Sequence, residues 1–294
     1  MRRRALLSLS ALAFAGCLAP RSDELGVPTT TSDCPPVGDR MVCVPETDPE
    51  RAPISLTADS RSVSPPETVT FTLENGAGQP LTTNDYGWTL WKRADAEWVR
   101  VAPDTRPLPA IVLDDGDSYE WTLTAEHALP PNPWREYDAW HSEGTVSGLG
   151  GGEYAFTVDG ALGESLDRTI GFAVRFEVDA PGTELEPTAR VTDSSRDGGT
   201  VTVRGDGRGE EENRAEFVLR RIDDGEDSRT VIPEQAAHDY RLRNTLPHFK
   251  EGVERVRYVE RGHTTGPPFA VDEPYAIRYR GEPYEASANR LESE

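Results

Sequence analysis

The sequence predicts a mainly β protein, an antiparallel β-sandwich over 53–179 followed by a small α+β domain over 187–288. Three observations carry that expectation. Short runs in which apolar and polar residues alternate recur along the chain, the period of a half-buried strand. Asp, Gly and Pro cluster between those runs as turn residues. Only one segment, opened by Pro233, has the spacing of a helix. With 294 residues, and domains of ~100–200 residues, two domains are expected.

The chain opens on Arg2, Arg3 and Arg4, followed by an apolar run from Ala5 to Ala15 and the small residues Ala15 and Gly16 before Cys17. A basic flank, a short apolar core and small residues at a cut form the layout of a secretory signal, residues 1–16. The run is too short for a permanent membrane span, which needs ~20 apolar residues. The segment resembles the lipobox of lipoproteins, in which the cysteine takes a lipid and becomes the new N-terminus. Phe14 stands where that motif usually has Leu, Val or Ile. Arg3-Arg4-Ala5-Leu6-Leu7 also resembles the twin-arginine export signal, so either that route or general secretion is open. The resemblance implies a protein fastened through Cys17 to the outer face of the cell membrane.

Residues 17–52 are rich in Pro, Thr, Ser and Asp without apolar period, the composition of a disordered linker. Within it Cys34 and Cys43 stand nine positions apart, with Pro35-Pro36 and Gly38 between them. Outside the cell such a pair is expected as a disulfide, and no histidine lies near enough to make them metal ligands.

Ile54-Ser55-Leu56-Thr57 and Val69-Thr70-Phe71-Thr72-Leu73 alternate as strands, with Pro65-Pro66 forcing a turn between them. Tyr86–Trp91 and Trp98–Val101 read as a hairpin with Tyr86, Trp88 and Leu90 inward. Ala110–Leu113, the turn Asp114–Asp117, and Tyr119–Leu123 follow. Gly152–Val158 and Gly171–Val178 complete seven or eight strands, the count of a sandwich. Pro181 and Gly182 mark a boundary. Thr188–Val191, Thr200–Val203 and Glu216–Leu219 read as three further strands. Pro233, Ala236, Ala237, Tyr240 and Leu242 predict one helix of about three turns with Pro at its start. Val253–Val259 suggests a strand, and Tyr275–Tyr279 with Tyr284–Ala286 a closing hairpin through Gly281.

Thr68–Leu73, Tyr86–Lys92 with Trp98–Val101, Leu113–Trp121 and Gly152–Phe156 together resemble the immunoglobulin-like (Ig-like) domain of bacterial and archaeal surface proteins. A Trp on the second hairpin strand, a glycine turn and a Gly-x-Tyr strand recur there in this order. Asp115-Gly116-Asp117 stands where that family has Pro-Gly-Glu. The resemblance covers the first domain and implies an interaction module. A related sandwich group includes proteinase inhibitors, although no inhibitory loop is matched here.

The net charge of −21 becomes three units more negative once Arg2, Arg3 and Arg4 are removed. Acidic residues recur in turns throughout, a solvated shell that repels itself in dilute salt and is screened in concentrated salt. That balance is similar to proteins of halophilic archaea; an acidic secreted protein of another GC-rich organism fits as well. Binding of nucleic acid through the surface is disfavoured, since it needs a basic patch.

Catalytic constellations are missing from the sequence. His127, His141, His238, His248 and His263 fall in no metal-ligand spacing. Ser147 misses the nucleophile-elbow register by one position, and Gly148–Gly152 lacks the Lys and hydroxyl of a phosphate loop. Asp114–Asp117 and Asp223–Asp227 are read as turns rather than calcium loops. The expectation is a non-catalytic protein without cofactor or bound metal. Glu126–Gly150 is the most singular stretch, a long loop carrying Trp134, Tyr137, Trp140 and His141. Its rings either fold back over an open sandwich edge or contact a ligand or partner. The function expected is a lipid-anchored surface protein serving envelope binding or assembly. Capture of a glycan or metal through 126–150, and a proteinase-inhibitor role, stand as alternatives. The partners foreseen are the membrane, through lipid on Cys17, and an envelope protein or glycan.

Overall fold

A computed structural model describes residues 33–44, 52–102, 109–131, 133, 142–163, 169–207, 213–262 and 266–291. The chain is mainly β. Its first twelve strands are β1 (Arg40–Val44), β2 (Ile54–Ala58), β3 (Ser62–Val63), β4 (Glu67–Asn75), β5 (Leu81–Asn84), β6 (Thr89–Ala94), β7 (Glu97–Ala102), β8 (Ala110–Leu113), β9 (Ser118–Ala125), β10 (Glu143–Val146), β11 (Gly152–Leu162) and β12 (Ile170–Val178). They form two sheets. One has the order β10-β9-β4-β2; the other runs β1-β12-β11-β5-β8, with β6 and β7 extending from β11 and β3 pairing β12.

Alternation places the inward side chains of both sheets in one core. Val69, Phe71 and Leu73 from β4, Trp121 and Leu123 from β9, Phe156 and Val158 from β11, and Phe172, Val174 and Phe176 from β12 are all buried in it. Phe156 is the hub. Its ring stacks on Phe71 of the facing sheet with centroids 3.9 Å apart and an interplanar angle of 3°. Trp88 lies 5.8 Å from Phe156 and Trp121 6.1 Å from it. Large rings from both sheets thus meet at one point, where they exclude water from the largest apolar area per residue. Of the predicted inward set, Trp88 and Leu90 are buried and Tyr86 is half-buried.

Several expectations are corrected. The stretch 17–52 is not wholly linker, because β1 lies in it and pairs parallel with β12 from Arg40↔Ile170 to Val44↔Val174. Met41-Val42-Cys43 is long enough to lay an apolar rung against that edge, with Val42 1% and Cys43 0% exposed. Cys34 and Cys43 are disulfide-bonded with Cα atoms 6.4 Å apart, and both pack against Ala173. The sandwich is not purely antiparallel, since β10 also runs parallel to β9. That strand falls inside the stretch read as one long loop. Its residues Glu143-Gly144-Thr145-Val146 alternate too briefly to register as a strand.

The second unit is a seven-stranded sheet of order β13-β14-β17-β15-β19-β18-β16. It comprises β13 (Val191–Asp197), β14 (Thr200–Gly205), β15 (Arg214–Arg221), β16 (Arg229–Val231), β17 (Arg255–Arg261), β18 (Tyr275–Tyr279) and β19 (Glu282–Arg290). A second core of Val203, Phe217, Leu219, Val256, Tyr258, Ile277 and Ala286 lies on one face. The predicted strand at Thr188–Val191 is displaced to β13, an edge strand exposed on both faces that carries no apolar period. The single predicted helix is two helices, α1 (Pro233–His238) and α2 (Tyr240–Thr245). Asp239 divides them with extended backbone, and its carboxylate accepts from the Arg241 and Leu242 amides as the cap of α2.

Phe156→Ala is expected to cost about 3–5 kcal/mol, read as a lowered urea midpoint. Val112→Ala, at a side chain left 59% exposed, is expected to stay within about 0.5 kcal/mol of wild type.

Candidate interdomain cleft

The two units meet around α1. Ile232, just before it, inserts into the sandwich core. Pro233 occupies the first helical turn, where its missing N–H costs nothing, and the next residue, Glu234, is fully buried. Glu234 Oε1 accepts from Lys92 Nζ on β6 at 2.5 Å and from the Gly150 amide at 3.2 Å. The Tyr154 and Thr183 hydroxyls lie 3.3 and 3.2 Å from the same oxygen. Each hydroxyl has a nearer acceptor, however: Gly150 O for Tyr154 and Gly148 O for Thr183, both at 2.8 Å. A hydroxyl has one proton, so Lys92 and the Gly150 amide are the main support of the buried carboxylate. Oε2 has no partner among the described residues.

The glycine run that lacked a phosphate-loop signature has its reason here. A Cβ on Gly150 would lie 2.6 Å from the Thr183 amide nitrogen and 2.9 Å from Glu234 Oε1. One on Gly151 would lie 2.0 Å from Ala180 O. Only bare backbone lets the segment 180–183 and the carboxylate approach together. Two more side chains of α1 reach the sandwich: Gln235 Nε2 donates to Arg100 O at 2.8 Å, and His238 Nε2 is 2.8 Å from Ser147 O.

Beside this junction lies a cleft of about 780 Å³, lined on the sandwich side by His127, Ala128 and Leu129. The connecting segment contributes Pro181–Glu184 and Glu186, and the second unit contributes Arg243 and Arg280. Arg243 on α2 is 7% exposed. Its Nε donates to Glu186 O at 2.8 Å and its Nη1 to Pro130 O at 2.5 Å. Burial holds its pKa below the usual arginine value, with the Glu186 charge opposing. Arg280, in the β18–β19 turn, donates to Thr183 O at 3.0 Å and lies over the Tyr279 ring. His127 Nδ1 is 2.9 Å from Leu149 O. Among the described residues neither guanidinium has a carboxylate at ion-pair distance.

The site residues foreseen from sequence fall elsewhere. Cys17, Trp134, Tyr137, Trp140 and His141 lie outside the described residues, while Cys34 and Cys43 sit in the disulfide. The singular loop nevertheless starts at the cleft, because Leu129 lines it and Pro130 accepts from Arg243. Among the described residues no group of three or more His, Cys, Asp or Glu is placed to hold a metal ion, and no helix is long and apolar enough to cross a membrane. Glu234, Lys92, Arg243 and Arg280 were not singled out by sequence. The one available signal was Lys92, which with Lys250 makes up the chain's whole lysine content.

Glu234→Gln removes the counter-charge of a partly buried ammonium and is expected to cost about 3 kcal/mol. The measurement is denaturant unfolding, where the loss should exceed that of an exposed pair such as Arg221–Glu282. A second expectation concerns alkali. Burial, and then the Glu234 charge, push the Tyr154 phenol well above the ordinary tyrosine value. Burial, and then the bond to Asp85, push Tyr119 up to about 12. The folded state favours these phenols protonated. Their contribution is therefore complete below the unfolded pKa of about 10 and is lost as pH rises through the folded values. Ultraviolet phenolate titration should show a tyrosine fraction silent at pH 10 that appears together with alkaline unfolding.

No family model and no curated protein matches this chain. Among solved structures it is similar to the sporulation control protein Spo0M from Bacillus subtilis at 16% identity, with a TM-score of 0.26, over 43% of this chain and 49% of that one. The chain therefore spans about half the length of Spo0M, a likeness too shallow to carry an argument about fold or activity.

Proposed function

We propose that this protein is a non-catalytic, lipid-anchored binding protein of the cell surface. In this reading an Ig-like sandwich over 53–179 and an α+β unit over 187–288 form a cleft between them and present it outward. The observation that carries the reading is the junction itself. A buried Lys92–Glu234 pair, with hydrogen bonds from Gln235 and His238, holds two β units beside a concave site of about 780 Å³. Clefts of that size at domain junctions are the usual place for ligands. The signal-like residues 1–16 and Cys17 supply the address, and the acidic shell suits a surface in concentrated salt.

The test is intact-mass analysis of the protein purified from its native membrane fraction. The expected product begins at Cys17 and carries added hydrocarbon, and Cys17→Ser releases the protein to the medium. A product retaining residues 1–16 without added mass, or recovery from the cytosol, would overturn the anchoring.

A further inference from the structure

We propose that the interdomain cleft captures the free C-terminal carboxylate of an extended peptide. The inference rests on reading the cleft as the binding site and goes further by naming what it holds. The first observation is the pair of guanidiniums. In a chain with 52 acidic and 31 basic residues, many of the described arginines reach a carboxylate, for example Arg190–Asp206, Arg204–Asp193, Arg220–Glu285 and Arg241–Asp239. Arg243 and Arg280 donate instead to backbone carbonyls, Arg280 also contacting Tyr279, and both line one cleft. Arg243 Nη2 makes no hydrogen bond among the described residues. The Glu186 charge acts on Arg243 without an ion pair between them, so the largely buried guanidinium keeps its planar fork for a bound carboxylate, the anion that fork matches.

The second observation concerns the wall. The segment 181–187 has no regular secondary structure. Among the described residues, Gly182, Glu184 and Leu185 give none of their backbone N–H or C=O groups to another backbone group. An open backbone beside a cleft offers an extended peptide a ladder partner, while alternate side chains of that peptide reach the walls. The remaining lining supplies selectivity. Leu129, Ala128 and Pro181 give apolar surface for a terminal side chain, and the exposed Glu184 and Glu186 repel acidic residues upstream of it. The same two carboxylates repel a dianion such as phosphate more strongly than a monoanionic carboxylate.

The experiment is equilibrium dialysis of the purified mature protein against a pool of N-acetylated tetrapeptides randomised over non-acidic residues. The pool is offered once as free acids and once as C-terminal amides, with acetate in a third arm, and retained members are quantified by mass spectrometry. Free acids should be retained at least about tenfold better than amides, the loss of one charge-assisted hydrogen-bonding group. Acetate should neither match nor displace them at equal concentration. Arg280→Gln, in an exposed turn, should reduce acid retention about tenfold and leave amides unchanged, with Arg280→Lys recovering part of the loss. Thermal melts establish that both variants fold. Equal retention of acids and amides, acetate competing on equal terms, an unaffected Arg280→Gln variant or no retention of any member would each overturn the proposal. Such a failure in a protein whose mass still shows lipid on Cys17 would reject this ligand while the anchoring stands.

Discussion

One buried negative charge constrains the middle of the molecule. Glu234 sits where no water reaches it, and an unpaired carboxylate there would be costly. Lys92 must therefore come from β6 of the sandwich to meet a helix of the other unit. The glycines at 150 and 151 must stay bare to let the connecting segment pass. Buried ion pairs are seldom net stabilisers compared with apolar contacts, and their better-attested role is to specify one arrangement over others. Here the pair joins two β units whose own cores are separate. The cleft lies beside that joint, sharing Thr183 with it.

Each unit solves the problem of burying a sheet face differently. The sandwich stacks two sheets on a cluster of rings centred on Phe156, so most of its inward residues are large. The second unit has a single sheet and covers it with the short helices and the turn at Phe269. The Phe269 ring lies 6.0 Å from Phe217 and 5.9 Å from Tyr258. Because α1 belongs to this cover and also touches the sandwich, the junction residues are placed by the packing of both cores.

Strands with a buried face were legible in the sequence. Val69–Leu73 falls inside β4 and Tyr119–Leu123 inside β9, both with the expected alternation, and Gly152–Val158 falls inside β11, whose residues 154–158 are buried on both faces. The Cys34–Cys43 bridge was legible from the spacing of the two cysteines across a turn-forming stretch. What was missed lacks a local signal. Leu81-Thr82-Thr83-Asn84 is short with three polar residues, and β13 is solvated on both faces, so neither shows a clean apolar period. Strand β1 is hidden in a Pro-rich stretch and is recruited by an edge more than a hundred residues away. Glu234 follows a proline at a helix start, where an acid is ordinary. Only the tertiary fold shows that it is buried, and only there do Arg243 and Arg280 come together.

The entry of the chain into the sandwich has a mechanical side. Asp33 is held by Arg93 at 2.5 Å, and its carbonyl accepts from the Trp98 indole at 3.1 Å. The next residue, Cys34, is bonded to Cys43, which is fully buried and faces Ala173 on β12. Tension applied ahead of Asp33 would therefore pass through the disulfide to Cys43 on β1, bypassing residues 35–42. The intervening stretch is thereby spared, and such a load would meet the ladder that β1 forms with β12.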